Sequence, residues 1–65
     1  MKNPTRSQLI ALRQHSLVGA ANSTQAACLF RSRGNEHLAQ FAERCAARNL
    51  AKAAKCDRAL ATSSR

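Results

Sequence analysis

Four cations recur along the second half of the chain, Arg44, Arg48, Lys52 and Lys55, at steps of four, four and three residues. On a helix this spacing gathers their side chains into one stripe. Like charges one turn apart repel by roughly 0.2–0.5 kcal/mol per pair in an isolated helix. A polyanion laid along the stripe removes that repulsion and releases its own counterions. The plainer alternative is a solvated polar face. Glu36 and Glu43 come early in the segment and Lys55 and Arg58 late, the order that complements a helix dipole. A second basic group, Arg31 and Arg33, flanks Ser32 just before Gly34. Free amides at a helix start plus two guanidinium forks suit a phosphate, although Glu36 already occupies that first turn. Arginine outnumbers lysine eight to three, and its planar fork fits phosphate and carboxylate alike.

Other chemistry is poorly supported. Cys28, His37, Cys45 and Cys56 come nearest to a zinc set, yet no C-x₂₋₄-C or H-x₃₋₅-H pair exists. Cys45 and Cys56 would lie about 16 Å apart along a helix, too far for one metal or one disulfide. The cysteines read as small buried hydrophobes, replaceable by Ala or Ser without loss of a metal. His15 and His37 have no carboxylate four residues away, and neither paired carboxylates nor a Gly-rich phosphate loop is present. The reading is therefore a protein that is not an enzyme, with no cofactor and no metal. Phe30 and Phe41 are expected in the core, which leaves no aromatic platform for single-stranded bases.

The elements that must carry the stripe are helical. Sixty-five residues make one small domain, spanning 1–65, with a thin core. Much of the 45% hydrophobic content is alanine, while Trp and Tyr are absent and β-branched residues scarce. That composition excludes a barrel or sandwich and favours an all-α fold of closely packed helices. The formal charge of +8 and a pI near 11.2 favour acidic or polyphosphate partners. No apolar run is long enough to span a membrane, and the stretch Leu9–Leu12 ends at Arg13, too short for a signal peptide. An odd number of cysteines makes no disulfide framework. These features place the chain in the cytoplasm, away from membranes.

Thr5 and Gln8 form a capping box after Pro4, so a first helix is expected over about 6–21. Gly19 and Asn22-Ser23-Thr24 weaken helix there, and a second helix is expected over about 24–32. One bent helix over both segments is the alternative. Gly34 suits a left-handed C-cap and Asn35 an N-cap. A long amphipathic third helix follows over about 36–61, with Thr62 to Arg65 fraying. Its expected core face holds Leu38, Phe41, Ala42, Cys45, Ala46, Leu50, Ala53, Cys56 and Leu60. The domain is thus one of two or three helices. A helix-turn-helix centred on Gly19 or Gly34 fits poorly: His15 stands where a small residue is usual, and the helix after Gly34 is too long for a recognition helix.

The alternation Ala26-x-x-Leu29-Phe30, then Asn35-x-x-Leu38-Ala39, then Cys45 resembles the ANR family, small negative regulators of AraC-type activators. The resemblance covers about 20 residues and implies a short helical cytoplasmic protein that acts on other regulators. The chain lacks the tryptophans of that pattern near Phe30 and Leu38, and its spacing to Cys45 is short.

The reading that follows is a small basic regulator binding DNA or RNA through Arg44, Arg48, Lys52 and Lys55, assisted by Arg31 and Arg33. The alternative is a modulator that meets an acidic protein, such as a phage or mobile-element inhibitor of the anti-CRISPR kind. A homodimer is also expected. The Leu50–Leu60 half of the third helix lacks cover, and Ala46, Ala53 and Ala54 permit close approach of a second copy.

Overall fold

The computed structural model describes residues 4–63, which form two helices, α1 from Arg6 to Ser32 and α2 from Glu36 to Ser63. They pack side by side as an antiparallel hairpin. Thr5 caps α1: its Oγ1 accepts from the Gln8 amide at 3.2 Å while Gln8 Oε1 accepts from the Thr5 amide at 2.9 Å. Two orphan donors of the first turn are thereby satisfied reciprocally.

The break expected between residues 21 and 24 is absent. The segments read as a first helix over 6–21 and a second over 24–32 are one helix. Thr24 Oγ1 donates to the Ala20 carbonyl at 2.9 Å, so its hydroxyl is satisfied inside the helix and does not compete with it. Ser16 is buried, Gly19 and Ser23 are half-buried, and packing against α2 overrides weak local propensity.

The turn follows the expected chemistry. Asn35 N–H donates to the Phe30 carbonyl at 2.8 Å and Gly34 N–H to the Arg31 carbonyl at 3.0 Å. These two bonds make a Schellman motif, which requires the left-handed φ of +79° found at Gly34. Asn35 then starts α2 directly, its Oδ1 accepting from the Leu38 amide at 3.2 Å. At the other end α2 continues beyond residue 61. Thr62 is helical, with Oγ1 donating to the Arg58 carbonyl at 2.9 Å, instead of frayed. Residues 64 and 65 of the tail expected to fray lie outside the described residues.

The core is a seam of small residues. In α1 it consists of Leu9, Ser16, Ala20 and Ala27, and in α2 of Ala39, Ala42, Ala46, Ala53 and Cys56. Both sets follow the three-and-four spacing of a coiled-coil seam. Among the described residues no large side chain is fully buried. The expected core face of the third helix is therefore corrected. Ala42, Ala46, Ala53 and Cys56 are buried and Cys45 and Leu60 half-buried, but Leu38, Phe41 and Leu50 are exposed. The physical reason is close approach: alanines on one line let the two backbones come together, and bulkier neighbours are displaced to the flanks. In α1 the same displacement exposes Ile10, Leu12, Val18 and Leu29. Among the described residues no helix is long and apolar enough to cross a membrane.

Candidate nucleic-acid interface

The seam residues define the faces of each helix when written as heptad positions a and d: Leu9, Arg13, Ser16, Ala20, Ser23, Ala27 and Phe30 in α1, and Ala39, Ala42, Ala46, Asn49, Ala53, Cys56 and Leu60 in α2. Arg44 and Arg58 then occupy the outermost position f, Arg48 and Lys55 position c, and Lys52 position g. All five lie within an arc of roughly 100° and each is exposed; Arg44, Arg48, Lys55 and Arg58 face away from α1, while Lys52 lies on the flank that borders it. From Arg44 to Arg58 the stripe runs about 21 Å at 1.5 Å per residue.

The chain has three acidic side chains, and all are taken by arginines of α1. Arg13 Nε donates to Asp57 Oδ1. Arg31 binds two acids at once: Nη2 lies 2.8 Å from Glu36 Oε2 and 3.1 Å from Glu43 Oε1, while Nη1 donates to Glu43 Oε2 at 3.1 Å. The hydrogen bonds from Arg31 hold the Glu36 carboxyl below the usual carboxylate range, and the two glutamates push the Arg31 guanidinium further up. Asp57, Glu36 and Glu43 all occupy position e, so the three ion pairs share one flank of the hairpin. Among the described residues none of Arg44, Arg48, Lys52, Lys55 and Arg58 has a carboxylate within ion-pair distance.

The expected site is thus divided. The α2 stripe is brought together as a continuous exposed face. Arg31 is not part of it, because it is engaged on the e flank with Glu36 and Glu43. Arg33 stands exposed at the C-cap of α1, near the turn. Phe41, assigned to the core from the sequence, is 56% exposed. It occupies position c, seven residues before Arg48 and fourteen before Lys55, so an aromatic ring stands at the end of the basic stripe. The signal that would have placed it is the alanine register, since Ala39 and Ala42 claim the seam and Phe41 cannot share it. The pairing of Arg13 with Asp57 across 44 residues has no local sequence signal.

A groove of about 670 Å³ runs along the e flank, lined by Thr24, Ala27, Cys28 and Arg31 of α1 and by Glu43, Ala46, Ala47 and Leu50 of α2. Cys56 is buried as expected, but Cys45 is half-buried and Cys28 exposed. Among the described residues no three His, Cys, Asp or Glu side chains cluster in a way that could hold a metal ion. Compared with protein-family models, curated proteins and solved structures, the chain has no match.

Proposed function

We propose that the chain is a small basic regulatory protein that binds nucleic acid along the outer face of α2, an amphipathic helix with an alanine seam on one side and five cations on the other. The observation that carries this reading is the sorting of charge. Every acidic side chain is engaged on the e flank by an arginine of α1, so among the described residues Arg44, Arg48, Lys52, Lys55 and Arg58 present a positive face with no carboxylate paired to it. A phosphate backbone supplies the missing countercharge at regular spacing along one line. Contacts of this kind position a duplex or a strand without reading bases, so little sequence preference is expected. Phe41 adds a stacking surface beside Arg44 and Arg48, which favours single-stranded segments over an unbroken duplex. The site needs no catalytic group or cofactor, and the proposed setting is the cytoplasm.

The salt dependence tests it. Five phosphate contacts give a slope of log affinity against log salt of about −4.5 for duplex DNA and about −3.5 for a single strand. Affinity should then fall about 10²- to 10³-fold between 50 and 200 mM salt. Arg44→Glu with Arg48→Glu should abolish binding while leaving the helical circular dichroism intact. No retardation of DNA or RNA at low salt overturns the proposal. The second reading, a protein-binding modulator that docks on an acidic partner, of the phage or mobile-element inhibitor kind or an ANR-like regulator, then takes its place. Leu38 and Phe41, exposed on α2 just before the cations, are the observation that favours it.

A further inference from the structure

The hairpin exposes 5157 Å² of surface. A compact monomer of its 7.0 kDa mass is expected to expose about 4,000 Å². The excess, about 1,100 Å², accompanies the elongated 49 × 19 × 15 Å shape of the hairpin and leaves room for the roughly 800 Å² that each partner contributes to a standard interface. A two-helix seam needs only positions a and d, whereas a helix that belongs to a larger bundle carries a third apolar position beside them. Position e carries Ile10, Leu17 and Leu50 between the ion-paired Arg31, Glu36, Glu43 and Asp57, and of these apolar side chains Ile10 is 42% and Leu50 53% exposed. The adjoining position b holds Ala21, Cys28, Ala47 and Ala54, small enough to let another helix approach closely.

Charge selects both the flank and the occupant. The chain as a whole is +8, so most of its surface repels a second copy. On the e flank Arg13 and Arg31 pair with Asp57, Glu36 and Glu43, so the positive charge there is offset by all three acidic side chains. The opposite flank also carries Leu12 and Leu38, but with Arg33 and Lys52 and no acid, so pairing two copies there would bring four cations together. We infer that the e flank is covered by a second copy of this chain, giving a four-helix bundle whose two α2 stripes face outward. This relocates the dimer expected from the sequence. Ala46 and Ala53 are only 6% and 4% exposed, turned into α1, and do not meet a partner.

The test uses the full chain without nucleic acid, so its outcome is independent of the proposed function. Sedimentation equilibrium at tens of micromolar should give twice the chain mass. Leu50→Asp, which puts a charge into the e flank, should give a monomer, and Leu38→Asp on the opposite flank should leave the dimer intact. Should Leu50→Asp fail to fold, the wild type still decides: tenfold dilution lowers the melting temperature of a dimer and leaves that of a monomer unchanged. A monomeric wild type with a concentration-independent midpoint overturns the inference. So does a dimer that Leu38→Asp dissociates and Leu50→Asp does not.

Discussion

Gly19 is where the two helices approach most revealingly, and Gly19→Ala measures that approach. A Cβ at this position falls 2.9 Å from Asn49 Nδ2 and 3.4 Å from Asn49 Cγ. Two effects of similar size oppose each other. Replacing glycine by alanine inside a helix stabilises by about 1 kcal/mol. The added methyl displaces the Asn49 amide, the far end of a flexible side chain, at a cost of about 0.5–1 kcal/mol for a poorer rotamer. In the wild-type background the net change should therefore lie within about 0.5 kcal/mol of zero. In an Asn49→Ala background the opposing contact is gone and the full propensity gain appears, a rise in melting temperature of about 4–8 °C for a domain of this size. The double-mutant cycle should return a coupling of about 0.5–1 kcal/mol. Thermal and urea unfolding followed by far-ultraviolet circular dichroism, at one fixed protein concentration, supplies all four corners. A cycle that closes with no coupling refutes the contact. Destabilisation by Gly19→Ala in both backgrounds would mean that backbone, not the Asn49 side chain, fills the space.

Two further outcomes follow from the turn. Gly34→Ala should cost about 1–2 kcal/mol, because φ is +79° there and no atom lies near enough for the methyl to clash, so the loss is purely conformational; Gly34→Asn should lose clearly less, and equal losses would refute a left-handed cap. Glu36 has its carboxyl lowered by Arg31, so its stabilising contribution is present above the ordinary glutamate range near pH 4.3 and is lost as pH falls through the depressed value. Wild type should accordingly lose more stability than Glu36→Gln on acidification from about pH 5 to about pH 2, and parallel losses would show that the ion pair contributes nothing.

Both helix starts and the turn were legible because their signals are local: Thr5 with Gln8, and Gly34 with Asn35, each satisfy backbone groups within a few residues. The continuity of α1 was not, because Gly19 and Asn22-Ser23-Thr24 weaken a helix in isolation and only the opposing α2 restores it. The core was misassigned for a related reason. A moment taken over the large side chains points at Leu38, Phe41 and Leu50, whereas the chain packs on the line where the alanines of α2 meet Ser16, Ala20 and Ala27 of α1. The stripe from Arg44 to Lys55 was readable as a spacing, but its lack of counterions was not. That property depends on Arg13 and Arg31 drawing Asp57, Glu36 and Glu43 to another flank.

The alanine seam has one more consequence. Large side chains interdigitate deeply, and sliding one helix past another would then lift every knob out of its hole. Methyl groups make shallow knobs, and a shift by one heptad still sets small residue against small residue. Such a seam holds the helices close while discriminating poorly between neighbouring alignments. Alignment is instead fixed at its two extremities. The three-residue Arg33–Gly34–Asn35 connection leaves no slack at one end, and Arg31 ties it to Glu36 and Glu43. Near the other end, Arg13 clasps Asp57. The hairpin behaves as a smooth rail with a stop at each end, and its registry is a property of the stops.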